Sequence, residues 1–196
     1  MTTAASPTYP TTLSIVEYPQ PVLRKRAESV TVFDDQLRAF CERMFTCMED
    51  ANGVGLAAPQ VAVSKRIFIT DHGRRSEEGA SDRRIWINPR IEKATGHSAY
   101  EEGCLSFPGI YAKVERPSRF DVVYQNEWGA EQRLSLDAEA GEFLAVVVQH
   151  ELDHLDGKVF VDYLSDAQLT LIRKHLKEME KDFKKMTGKP GAVLRR

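Results

Sequence analysis

Residues 144–157, LAVVVQHELDHLDG, constrain this chain more than any other segment. The apolar run LAVVV leads directly into His150, Glu151 and His154, spaced H-E-x-x-H. On a helix, positions i and i+4 project from one face, so the two imidazoles can grip a single ion. Glu151 follows the first ligand and can reach water bound to that ion as a general base. Phe143 and Val147 continue the histidine face, while Leu144, Val148 and Leu155 lie round the side and can fix the helix in a core. Two histidines and a glutamate on a buried helix are costly unless paired, and a metal resolves the cost. The spacing predicts a helix from about Glu139 to Asp156, with Gly157 as its stop.

A catalytic centre of this type needs three protein ligands and one open position. Of the remaining histidines, His72 sits in the polar stretch HGRRSEEGASDR and His175 on a charged helix; His97 is a weaker candidate. Cys104 is better placed, in EEGCLSFPG (101–109), where Gly103 and Pro108-Gly109 allow an irregular, rigid backbone. Cys41 and Cys47 instead follow the apolar period of a helix and read as core residues. A third segment, GVGLAAPQ (53–60), offers two glycines for close backbone approach and an amide donor on Gln60. It lacks the G-K-[ST] ending of a phosphate loop.

The rest of the 196 residues suit one domain of ordinary soluble composition, with a net charge of -2 that gives no pull toward nucleic acid or anionic membrane. Three cysteines do not make a disulfide framework and fit a reducing compartment. The first residues lack a basic and apolar signal, and no apolar run reaches the roughly 20 residues a spanning helix needs. A cytoplasmic location is the expectation. Asp34 or Asp35 should cap a helix carrying Leu37, Phe40, Cys41, Met44, Cys47, Met48 and Ala51, stopped at Asn52-Gly53. Segments 66–70, 85–89, 119–126 and 132–136 read as strands of small antiparallel sheets, not repeating βαβ units. A last helix from Ser165-Asp166 carries Leu169, Ile172, Leu176, Met179 and Phe183 as one apolar stripe. Residues 1–14 and 187–196 read as flexible tails around a domain over 15–186.

Taken in order, GVGLAAPQ, EEGCLSFPG and QHELDHLDG resemble the three signature motifs of peptide deformylases, over about residues 15–185. The resemblance implies an α+β fold of small antiparallel sheets packed around a central metal-binding helix, with a long C-terminal helix. It implies hydrolysis of the formyl group from the N-terminal formyl-methionine of new polypeptides, releasing formate. Cys104, His150 and His154 match the metal ligands and Glu151 the acid/base. Gln60 and the Leu105 backbone N–H match the oxyanion stabilisers. Val54 and Gly55 match the backbone that pairs with an extended substrate, and Tyr100, Phe143, Val146 and Val147 the methionine pocket. Fe²⁺ is the implied ion, with Zn²⁺, Ni²⁺ or Co²⁺ as substitutes. The implied partner is the formylated nascent chain at the ribosome, met by a monomer that binds neither DNA nor membrane. An H-E-x-x-H endopeptidase of the zincin kind, with a third His or Glu ligand, is the alternative enzyme. A structural metal protein would want a fourth protein ligand.

Overall fold

A computed structural model of the chain describes residues 8–73 and 81–194. Most of the polar stretch HGRRSEEGASDR (72–83) therefore lies outside the described residues. Helix α1 (Asp35–Asp50) begins where the Asp34 carboxylate accepts the Leu37 N–H, one of the otherwise orphaned first-turn donors. It buries Leu37, Phe40, Cys41, Met44, Phe45 and Met48; Cys47 and Ala51, expected on the same stripe, are only half-buried. Asn52 enters the left-handed region at φ 56° and Gly53 N–H returns to the Met48 carbonyl, which ends the helix as anticipated.

Seven strands follow: β1 (Gly55–Ala57), β2 (Ile67–Asp71), β3 (Arg83–Thr95), β4 (Ser98–Cys104), β5 (Phe107–Arg116), β6 (Arg119–Gln125) and β7 (Glu131–Asp137). Five of them form an antiparallel sheet in the order β1-β2-β3-β6-β7. Every residue of β2 is buried, because helices cover both faces. Ile67, Ile69 and Ile87 meet α1, whereas the alternating residues Phe68 and Trp86 meet Ala145 and Val148 of helix α2 (Phe143–Leu155). Within β3 the pairing register shifts at Asn88-Pro89; Asn88 sits at φ 50° and its amide bonds the backbone of Val30 in both directions.

Strands β4 and β5 make a separate hairpin. It packs over a third core of Phe107, Ile110, Val114, Phe160, Val161 and Leu176. Helix α3 (Asp166–Thr187) starts on the expected Ser165, in a reciprocal box with Gln168. Its stripe contributes Leu176 and Phe183 as buried residues, with Leu169, Ile172 and Met179 partly buried. The architecture is the expected one: small antiparallel sheets around α2 and a long final helix.

Of the segments read as tails, residues 1–7 and 195–196 lie outside the described residues, and parts of the remainder are anchored. Tyr9 is buried and stacks on Phe40 with ring centroids 4.5 Å apart, and Leu13 packs beside that core. At the other end, Ala192 N–H bonds the Pro19 carbonyl, Arg24 Nε bonds the Val193 carbonyl, and Leu194 joins the third core. An aromatic and a few aliphatic side chains anchor segments whose polar composition suggests looseness.

Candidate metal centre and its cleft

Helix α2 is buried on almost every side, and His150, Glu151 and His154 are 8%, 4% and 1% exposed. The donor atoms of Cys104, His150 and His154 all lie within 4.8 Å of one another, with Cys104 Sγ 3.3 Å from His154 Nε2. Cys104 reaches them because it ends β4, where the register to β5 breaks between Gly103 and Cys104. That break turns the thiol toward α2, 46 residues further along the chain than the sequence neighbourhood would suggest for a local site.

The donors fit one ion. His150 Nδ1 donates to Glu102 Oε2 at 2.9 Å, which fixes the ring and leaves Nε2 as the lone-pair donor. Burial alone would lower the pKa of His150, yet hydrogen bonds to Cys104 and Glu102 hold it well above its ordinary value. The centre therefore attracts positive charge. His154 moves the other way: burial, then repulsion from His150 and Arg116, lowers it well below the usual range and keeps its lone pair available. Among the described residues Glu151 Oε2 is buried without a hydrogen-bond partner, a cost that water held by a bound ion can offset. A thiolate and two imidazoles are a donor set suited to zinc or ferrous iron, and among the described residues Cys104, not a histidine or an acid, stands as the third donor. His97, the weaker candidate, is exposed at the β3–β4 turn. The zincin arrangement is not favoured.

A cleft of about 520 Å³ opens onto this centre. It brings together Val54, Gly55, Gln60, Cys104, Leu105, Phe143, Val146, Val147, His150 and Glu151. Gln60 lies on a 3-10 turn (Ala58–Val61) after β1; its Oε1 accepts the Ala57 N–H at 2.7 Å, so its NH2 faces Cys104 Sγ and Ser106 Oγ at 3.5 and 3.4 Å. Leu105 is the first residue of the two-residue link between β4 and β5. Glu151 is pushed up to about 7, chiefly by burial, which suits a group that takes and returns a proton near neutral pH. A Cβ on Gly55 would stand 2.5 Å from Glu151 Oε1, so any other residue there must displace the carboxylate. Phe143 opens α2 at the mouth of the cleft, 45% exposed, while Val146 and Val147 are buried in its wall.

Tyr100 does not belong with these residues. Its hydroxyl donates to the Ala138 carbonyl at 2.8 Å and its ring packs against the second core, beside Trp86 and Leu144. It shares a face of β4 with Glu102, but two residues further from Cys104 it packs beneath α2 and is not among the residues that line the cleft. Sequence reasoning also missed a buried charged group behind the centre. Arg116 donates to both oxygens of Glu102 and to Asp153 Oδ2 at 2.5–2.9 Å. Burial would raise Glu102, but hydrogen bonds from Arg116 and His150 bring it below its ordinary value. Glu102 beside Cys104 and Asp153 inside HELDH stood in view; nothing local marked Arg116.

Comparison with known proteins agrees with this geometry. The family model described as polypeptide deformylase matches residues 12–170. A peptide deformylase of Hydrogenovibrio crunogenus is 45% identical over 168 residues, 85% of this chain and 95% of that one. The chloroplastic peptide deformylase 1B of Oryza sativa is 38% identical over 187 residues, 95% of this chain and 67% of the relative. A plant peptide deformylase crystal structure superposes with TM-score 0.87 at 35% identity, covering 95% and 98% of the two chains. A Plasmodium falciparum peptide deformylase does so with TM-score 0.81 at 39% identity, covering 89% and 99%. With its motifs standing on one cleft and the match running through nearly its whole length, this chain belongs to the polypeptide deformylase family.

Proposed function

We propose that the chain removes the formyl group from N-terminal formyl-methionine of newly made polypeptides, with a divalent ion held by Cys104, His150 and His154. The observation that carries this reading is one cleft holding a thiolate–bis-imidazole donor set, an acid/base poised near neutrality and an apolar wall. A bound ion supplies Lewis acidity and makes water a nucleophile near neutral pH. Glu151 accepts the proton that the attacking water loses and delivers it to the departing amine. The Gln60 NH2 and the Leu105 backbone N–H stabilise negative charge as it develops on the formyl oxygen. Val54 and Gly55 pair with the extended peptide. Phe143, Val146 and Val147 seat the methionine side chain, whose thioether adapts to an irregular apolar wall.

Ferrous iron is the ion we propose in the cell, with Zn²⁺, Ni²⁺ and Co²⁺ able to occupy the same donors. We place the activity in the cytoplasm, performed by a monomer on chains emerging from the ribosome. Among the described residues no helix is long and apolar enough to cross a membrane.

The test compares kcat/KM for formyl-Met-, formyl-Ala- and acetyl-Met-peptides on one anaerobic, iron-loaded preparation. Burying the methionine side chain should favour formyl-Met over formyl-Ala by about 10–100-fold. Acetyl-Met-peptide should be almost inert, because its extra methyl meets the wall of Gly55, Gln60 and Cys104. Comparable acetyl and formyl rates would leave only a general metallohydrolase.

A further inference from the structure

The 3-10 turn after α2, Phe160–Tyr163, reaches back to the charged group behind the metal centre. The Tyr163 hydroxyl donates to Asp153 Oδ1 at 2.7 Å, and its ring lies 5.2 Å beneath the Arg116 guanidinium. Asp153 Oδ2 accepts Arg116 Nη1 at 2.8 Å. Arg116 holds Glu102 through Nε at 2.5 Å and Nη2 at 2.9 Å, and Glu102 Oε2 accepts His150 Nδ1. Asp153, Arg116 and Glu102 are 5–7% exposed, whereas Tyr163 is 44% exposed. A chain of hydrogen bonds thus runs from a surface tyrosine to a metal ligand.

Each link constrains the next. The guanidinium is a planar fork, so gripping both Glu102 oxygens dictates where Nη1 points. Asp153 must meet it there with one oxygen, and the Tyr163 hydroxyl satisfies the other. Without that hydroxyl, Asp153 Oδ1 is a buried carboxylate oxygen lacking its donor, and the carboxylate is free to turn. We propose that Tyr163 is a positioning residue for the metal centre: it fixes Asp153, and through Arg116 and Glu102 it holds the His150 ring in register with Cys104 and His154. This rests on the reading of those three residues as metal ligands. Tyr163 touches neither substrate nor ion.

The experiment loads wild type, Tyr163→Phe, Glu102→Gln and the double variant with Co²⁺ and follows its transfer to an excess of chelator. Direct hydrogen-bond partners of a ligand are worth about 10–100-fold in metal affinity. Glu102→Gln should therefore speed release by that range. Tyr163→Phe, which keeps the ring under Arg116, should speed it by about 10-fold and alter the visible Co²⁺ spectrum. In the Glu102→Gln background it should add nothing, because it acts through Glu102. Unchanged release and spectrum in Tyr163→Phe, even with a lowered melting temperature, would make Tyr163 a brace for its loop and overturn the proposal. So would independent, multiplying effects of the two substitutions. Should Glu102→Gln fail to fold, the single tyrosine variant still decides. Formyl-Met-peptide turnover by wild type is measured alongside; its absence would sink the deformylase reading and leave the Co²⁺ result standing.

Discussion

Gly55→Ala isolates the placement of the acid/base from its chemistry. A methyl at this position would lie 2.5 Å from Glu151 Oε1, 3.0 Å from Glu151 Cδ and 2.8 Å from Val147 Cγ1. Ordinary contacts between such atoms are about 3.5–4.0 Å, so the carboxylate must retreat by roughly 1 Å. The contact with Val147 Cγ1 must be relieved as well, by a small shift of β1 against α2, while the end of the Glu151 side chain makes the larger move. Gly55 lies in β1, so alanine fits the backbone conformation. The cost in stability should be that of mild overpacking, about 1–3 kcal/mol. The cost in rate should be larger, because a 1 Å misplacement of a reacting group is worth roughly 10²-fold. We expect Gly55→Ala to bind one metal per chain with wild-type affinity and to lose about 10²-fold in kcat on formyl-Met-peptide. A kcat within about threefold of wild type, in protein shown to be folded and loaded, would refute the idea that the Glu151 carboxylate must stand where the structure puts it.

Glu151→Gln should keep the metal while kcat/KM on formyl-Met-peptide falls by at least ~10²-fold. In the metal-free protein the same carboxyl favours folding below 4.5 and loses that contribution as pH rises through about 7, so Glu151→Gln should be the more stable form at pH 8 by roughly 3 kcal/mol and no better at pH 4; denaturant titrations at the two pH values read this directly. Arg116→Met strands Glu102 and Asp153 as buried charges and should cost about 3–5 kcal/mol in urea unfolding, against near-neutrality if water can enter behind α2. Tyr100→Phe should cost about 1 kcal/mol for the lost bond to Ala138 yet leave KM for formyl-Met-peptide within about twofold; a large rise in KM would return Tyr100 to the methionine pocket.

What could be read in the sequence was whatever carries a short-range signal. The caps at Asp34 and Ser165, the stop at Asn52 and the apolar run before His150 are local, and each stands where expected. The hairpin of β4 and β5 was harder to see. Its inward residues include Glu102 and Arg116, so the alternation of apolar and polar side chains that betrays a strand is broken by a buried ion pair. Tyr100 shows the limit of carrying a role over by resemblance: no motif residue fixes where its side chain goes, and its hydroxyl finds a partner at the Ala138 carbonyl. Tyr9 and Leu194 show the limit of composition, since one ring or one aliphatic group can tether a polar segment.

The three metal donors come from two separately built pieces. Cys104 ends a hairpin that shares no backbone ladder with the five-stranded sheet, and both histidines ride on the helix that covers that sheet. An ion bound between them is a clasp across an internal seam, and its binding energy is spent partly in keeping the seam shut. Holding the ion and keeping the hairpin closed are therefore one equilibrium. Any force that peels β4 and β5 away loosens the ion, and any chelator that draws the ion off makes the hairpin the first part of the fold to open.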